Sequence, residues 1–324
     1  MVYREMALML TDKCTAECAF CALKCNPGNT GLLSLETAKK VIDGMKRVGS
    51  FNRVGLSGGE PFLYPELIRD ILLYAKEAGI EKRTVATNGF WGAWDDERID
   101  RILGGLEGIL NQVSISHDAF HAEYVKTDYV WRVLKALDRH GIESTIHVGD
   151  VYGEKGAGEF LASLDGRAMY KSYTIYRLAP FGAAENLPGE YFVRPQKWDE
   201  VGCFNAHILA MGCDGTVYPC CSPGIFGTEF KLGNIHDTEM DELLENSPGK
   251  KYINVMAHPD RFSKLLHYAK EELGVSFPEK VVGGCESCYL IFKEPGVFEK
   301  LRPFVEKEYK ELILEKLLGT ETGV

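Results

Sequence analysis

Cys14, Cys18 and Cys21 stand in the spacing C-x3-C-x2-C within the stretch LTDKCTAECAFCALKC, residues 10–25, with Phe20 just before the last of them. Three thiolates this close on one loop can hold three irons of a cubane cluster and leave the fourth open to a ligand that is not protein. If Cys25 serves as a fourth ligand, the same loop reads instead as a zinc knuckle or a ferredoxin-type electron carrier. The other cysteines are also grouped. Of ten in all, four fall within 14–25, four within 203–221, and the last two are Cys285 and Cys288. Such clustering in a reducing compartment points to metal or redox chemistry over disulfides.

The elements that position these residues alternate along the first half of the chain. Apolar, β-branched runs at 6–10, 53–56, 84–86, 112–115, 144–147 and 174–178 read as strands. Helical spacing follows Ser34 (Ala38, Val41, Ile42, Met45, Val48), recurs at Ile99, Ile102, Leu103 and Leu106, and recurs again at Val130, Val133, Leu134 and Leu137 before Gly141. Six strands separated by helices predict an α/β fold with a parallel sheet, curled as a partial (β/α)6 barrel. In such folds the working residues sit at the carboxyl ends of strands. Those ends carry Cys14, the run Gly58, Gly59, Glu60 and Pro61, then Asn88, Ser116 with Asp118, and Arg177.

From about residue 190 the pattern changes. Asp214-Gly215 between two short apolar runs predicts a hairpin, and a short acidic helix near 238–245 and another around 262–273 precede GGCESC. The expected division is a barrel over 1–189, a small C-terminal cysteine-rich domain over 190–296, and a helical tail over 297–324.

Composition bounds the function. The formal net charge of -10 argues against nucleic-acid binding driven by phosphate neutralisation. No apolar run approaches the roughly 20 residues of a membrane span, so no membrane role is expected. The N-terminus MVYREMALML mixes charges into its apolar residues and lacks a small-residue cleavage site, so it reads as a first strand and the location as cytoplasmic.

Taken together, the three cysteines, Phe20 and the GGEP run after the second strand resemble the radical S-adenosylmethionine enzymes. The resemblance implies that Cys14, Cys18 and Cys21 ligate a 4Fe-4S cluster and that S-adenosylmethionine binds its fourth iron. It implies that cleavage of the cofactor yields a 5'-deoxyadenosyl radical that abstracts hydrogen. It further implies that the segment Gly58, Gly59, Glu60, Pro61 receives the methionine amino group and that Phe20 lies against adenine. Asn88, Ser116 and Asp118 offer hydrogen bonds to ribose or amino-acid groups, and Arg177 a cationic fork for the cofactor carboxylate.

The second cysteine set, Cys203-x11-Gly215-x4-Cys220 with Cys285-x2-Cys288, is similar to the auxiliary-cluster domain of SPASM and twitch proteins. The likeness implies a second 4Fe-4S cluster held by Cys203, Cys220, Cys285 and Cys288, and the lack of cysteines beyond Cys288 favours the one-cluster twitch type. A structural zinc site of four cysteines is the alternative. Cys25, Cys213 and Cys221 are left over. Cys221 follows an expected ligand on a constrained loop, where its thiol could give a hydrogen atom to a substrate radical; Cys213 could serve in its place or replace Cys203.

The expected function is hydrogen abstraction from a peptide substrate, with L-to-D epimerisation as the outcome if Cys221 is the donor. An external one-electron reductant of flavodoxin or ferredoxin type is implied. Only about a dozen residues precede Cys14, so recognition of a leader sequence is expected to come from elsewhere. The competing readings are a twitch-type dehydrogenase of small aminocyclitol-like molecules and a non-catalytic iron-sulfur protein for electron transfer.

Overall fold

The computed structural model describes residues 2–164, 172–204 and 206–318. Strand β1 (Glu5–Thr11) leads through the cysteine loop to helix α1 (Leu35–Val48). Ser34 caps α1 by accepting from the Thr37 N–H, and Gly49, with φ of 75°, ends it in the left-handed turn that an L side chain disfavours. The alternation continues with β2 (Arg53–Gly58), α2 (Pro65–Glu77), β3 (Lys82–Thr87), α3 (Asp96–Gly104), β4 (Gln112–Ser116), α4 (Thr127–Arg139), β5 (Glu143–Asp150), α5 (Ala157–Ala162) and β6 (Tyr173–Arg177). Of these helices α2 and α5 go beyond the sequence expectation, although in α2 Ile68, Ile71, Leu72 and Ala75, all buried, carry the same helical spacing after Pro65.

The six expected strands lie in sequential order and pair in parallel, as the alternating pattern predicts. Along β1 the residues Met6, Leu8 and Leu10 are buried and alternate with Glu5, Ala7 and Met9, which are half-buried. The buried set packs with Val41, Ile42 and Met45 of α1 in the main core. Of the half-buried set, Glu5 and Ala7 line a polar cavity with Arg53, Thr84, Gln112 and Ser114 of the neighbouring strands. Fully burying one leucine of this core contributes about 1.5–3 kcal/mol.

The second half of the chain is built onto the first. After the short β7 (Gln196–Lys197) come β8 (Ile208–Met211) and β9 (Thr216–Tyr218), the hairpin expected around Gly215. Strand β8 also pairs in parallel with β1, from Glu5 with Ile208 to Leu8 with Met211. With β10 (Gly233–Asn234) antiparallel to β9, the sheet among the described residues has nine strands, running from β10 at one edge to β6 at the other. It therefore continues across residue 190.

Helices α6 (Met240–Asn246), α7 (Pro248–Met256), α8 (Pro259–Glu271), α9 (Gly284–Phe292) and α10 (Val297–Leu318) follow, with β11 (Lys280–Val281) paired to β7. Helix α10 is the described part of the expected helical tail, of which residues 319–324 lie outside the described residues. Val297, Phe298, Leu301 and Val305 join α7, α8 and α9 in a second core that also contains Cys220 and Cys288, and Arg261 of α8 pairs with the buried Glu308 at 2.7 Å. No helix among the described residues is long and apolar enough to cross a membrane.

Candidate functional site

The cysteine loop is fixed to the sheet through main-chain bonds. The Gly59 N–H donates to the Thr11 carbonyl at 2.7 Å and the Glu60 N–H to the Lys13 carbonyl at 2.8 Å, tying the end of β2 to the start of the loop. A Cβ on Gly58 would run into the Thr11 carbonyl oxygen, and one on Gly59 into that of Lys13. Gly58 also holds φ at 116°. These glycines are thus needed first for the approach of the cysteine loop itself. Replacing Gly59 with alanine is expected to lift the loop from the sheet, and iron analysis of the reconstituted variant should show the loss of about four irons per chain.

Cys14, Cys18 and Cys21 line one cavity of about 200 Å3, together with Gly58, Gly59, Asn88 and Ser116. Within the loop the Cys21 N–H donates to the Cys18 carbonyl at 2.9 Å, and the Cys25 N–H donates to the Cys21 sulfur at 3.3 Å. Burial pushes the Cys14 thiol up to about 11. Cys18 is raised further by burial and by the charges of Cys14 and Cys21, whereas the hydrogen bond from the Cys25 thiol lowers Cys21. Among the described residues, no three His, Cys, Asp or Glu side chains converge tightly enough for a single metal ion. The donor set suits a larger cationic group, since one buried and two half-buried thiols in one cavity can all ionise only where bound positive charge compensates them.

Asn88 directs its amide to Thr15 Oγ1 at 3.0 Å and to the Cys14 sulfur at 3.8 Å. Phe20 packs its ring 5.1 Å from both Phe120 and His121 and lines this cavity and a larger one beside it. Two of the expected contact residues have their carboxylates bonded within the chain. Glu60 is fully buried; its Oε1 accepts from the Phe62 N–H and Thr87 Oγ1, and its Oε2 from the Asn88 N–H. Asp118, also fully buried, accepts from the N–H groups of Phe120, His121 and Gly149. Both carboxylates, and Pro61 with them, are absent from the linings of the two cavities among the described residues, because unsatisfied strand-end amides have claimed them.

Burial lifts Glu60 from an ordinary value of 4.5 to about 7, against the opposing pull of its three hydrogen bonds. Between those two values the folded chain keeps a proton that the unfolded chain has released, so this group's contribution to stability falls as pH rises through that window. In Glu60→Gln either orientation of the amide sets its NH2 against an N–H donor. The variant is expected to lose about 2 kcal/mol and to show a flatter dependence of melting temperature on pH between 4.5 and 7, read by anoxic calorimetry.

The larger cavity, about 720 Å3, lies between β6 and the segment after β9. Cys221 and Ser222 line it, as does Cys285 at the start of α9. Arg177 sits here and not in the cysteine cavity, because the alternation along β6 turns Tyr176 toward Cys14–Cys25 and Arg177 the other way. Tyr176, which that same alternation could have singled out, lines both cavities, and His121 joins the smaller one. Behind this wall, Cys220 and Cys288 are buried, and their thiols are raised by burial and by charges within the set Cys203, Cys220 and Cys285. Cys285 and Cys288 share one face at the start of α9, within range of the charges of Cys203 and Cys220. That donor set fits a fully cysteine-ligated cluster. Cys25 is buried in the smaller cavity, whereas Cys213 lies beside Asp12 at the hairpin.

Residues 8–160 match the family model of the radical SAM superfamily, and residues 203–289 match SPASM, an iron-sulfur cluster-binding domain. The chain belongs to the radical SAM superfamily. As a radical SAM enzyme with a SPASM-type domain, it takes iron-sulfur clusters and S-adenosylmethionine as cofactors. It is 22% identical over 323 residues to the putative peptide biosynthesis protein YydG of Bacillus subtilis (strain 168), covering 96% of this chain and 99% of that one. It is 26% identical to the antilisterial bacteriocin subtilosin biosynthesis protein AlbA of the same organism, over 87% of this chain and 66% of that protein. Among solved structures, native anSMEcpe with bound AdoMet shares the fold with a TM-score of 0.60 at 14% identity, over 94% of this chain and 99% of that one. Streptococcus suis SuiB bound to S-adenosylmethionine does so with a TM-score of 0.57 at 13% identity, over 78% and 68%.

Proposed function

We propose that this radical SAM enzyme inverts a residue of a peptide substrate from L to D, with Cys221 as the hydrogen donor. The observation that carries the reading is the position of Cys221 in the larger cavity, which meets the cysteine cavity along Phe20, Ala22, Tyr176 and Pro223. A Cα held at that junction has the cofactor side on one face and a thiol on the other. The full-length similarity to a putative peptide biosynthesis protein supports a peptide as substrate.

In this assignment Cys14, Cys18 and Cys21 hold the radical-generating cluster, and Cys203, Cys220, Cys285 and Cys288 hold the auxiliary one. When bound, the first cluster with S-adenosylmethionine supplies the 5'-deoxyadenosyl radical that removes the hydrogen atom. Gly58, Gly59, Asn88, Ser116 and Phe20 form the walls against which the cofactor is oriented. The Cys221 S–H bond then breaks as the new Cα–H bond forms, leaving a sulfur radical. One electron, originating in an external flavodoxin- or ferredoxin-type reductant, and one proton restore the thiol.

Anoxic reconstitution followed by co-expression with the short reading frames flanking the gene tests the proposal. About eight irons per chain, dithionite-dependent cleavage of S-adenosylmethionine, and a flanking peptide that gains one solvent deuterium at a Cα of D configuration are expected. Four irons or fewer, absence of cleavage, or an oxidised peptide without deuterium would exclude it.

A further inference from the structure

Strand β6 ends the nine-stranded sheet, and β5 is its one strand neighbour among the described residues. The Ile146 N–H donates to the Ser172 carbonyl at 3.1 Å and the Leu178 N–H to the Asp150 carbonyl at 3.1 Å. Even-numbered residues here therefore turn their main-chain groups toward β5, and alternation sends the N–H and C=O of Ile175 and Arg177 to the open side. That side is the larger cavity. Residues 175–179 line it without a break, and since side chains alternate between faces, an unbroken run means that the cavity meets the backbone edge itself.

The edge is lightly protected. Its sequence, YTIYR, carries no proline or glycine and a single charge, Arg177 at its end, and Ile175 is left 53% exposed. Across the cavity stand Cys221 and Ser222.

We infer that the peptide docks as an extended strand on the open edge of β6, pairing its main chain with Ile175 and Arg177 so that its reacting residue lies before Cys221. The inference rests on the peptide reading above and adds how the peptide is held. Strand addition supplies affinity through main-chain hydrogen bonds and leaves side chains to be read by pockets. It also has a stereochemical consequence. A Cα radical whose flanking amides are bonded to a rigid strand cannot turn over, so the thiol meets one face only.

The test uses the synthetic peptide of the flanking reading frame, with the enzyme carrying both clusters, under anoxic conditions. Single N-methyl groups are placed in turn on five successive amides around the deuterated residue, and Kd is read by fluorescence anisotropy. Losses of about tenfold or more are expected at alternate amides, with values near the parent between them. Ile175→Pro, which removes the outward N–H without taking a donor from the pairing with β5, should weaken the unmodified peptide about tenfold as well. If that variant fails to fold, the N-methyl scan still decides, because it alters the peptide alone. Uniform tolerance, or losses without a two-residue period, in a peptide that still gains deuterium overturns edge docking and leaves the peptide reading intact. A two-residue period with unchanged affinity in folded Ile175→Pro places the strand elsewhere and equally overturns it. A peptide that gains no deuterium overturns both.

Discussion

Cys221→Ala is expected to abolish the D-configured product while cleavage of S-adenosylmethionine continues. In the proposed reaction the sulfur returns the hydrogen atom, and removal of a reacting atom falls on a scale of about a thousandfold or more. Cys221 is not among the ligands assigned to either cluster, so the variant should keep its full iron content. The substrate radical then forms and has no partner on its second face. Three measurements separate this outcome from general damage: iron per chain unchanged, 5'-deoxyadenosine still formed in the presence of peptide, and deuterium from solvent no longer entering Cα with inversion. A dehydrogenase would keep its turnover after this substitution, because its second electron leaves through the auxiliary cluster and no thiol is consumed. Retained activity with inverted product would remove Cys221 from the mechanism.

The second large effect concerns the cysteine loop. Alanine at any one of Cys14, Cys18 or Cys21 is expected to take cofactor cleavage below detection, and the triple variant to fall from about eight irons to about four. Retention of the remaining four follows from the layout. Cys220 and Cys288 belong to the second core, with α7, α8, α9 and α10, while the loop rests on the ends of β1 and β2. The two sites should therefore load independently. Cys288→Ala should show the converse, losing the auxiliary irons and, because Cys288 is buried among apolar residues, melting at a lower temperature. A triple variant that loses all its iron would show that the sites are coupled and that one core depends on the other.

Local features of the site were legible because their cause is local. The spacing of Cys14, Cys18 and Cys21 follows from what one loop can offer a cluster, and Gly58-Gly59 marks a close backbone approach wherever it occurs. The partner in that approach was not legible. Thr11 and Lys13 supply the carbonyls that exclude a Cβ, so the glycines serve the cysteine loop before they serve any ligand. The carboxylates of Glu60 and Asp118 look like ligand contacts in a list of polar strand-end residues. Their direction is decided by which donors the folded chain leaves unpaired: Glu60 is turned inward onto two backbone N–H groups and the Thr87 hydroxyl, Asp118 onto three backbone N–H groups. Arg177 and Tyr176 show the reverse case: period-two alternation on β6 distinguishes them, and the larger side-chain charge is not the one that reaches the cysteine cavity.

By itself, then, the sequence determined the chemistry's components: three thiolates on one loop, a parallel alternation to carry them, and a second cysteine set with one thiol to spare. Tertiary structure alone decided how they meet. The parallel pairing of β8 with β1 joins residues some two hundred positions apart and carries Cys220 and Cys221 to the barrel's open side, opposite the bare edge of β6. The physical reason is that ligand spacing within a loop is a property of a few adjacent residues. Which wall a thiol faces depends on strand order and register, set by burial summed over the whole chain.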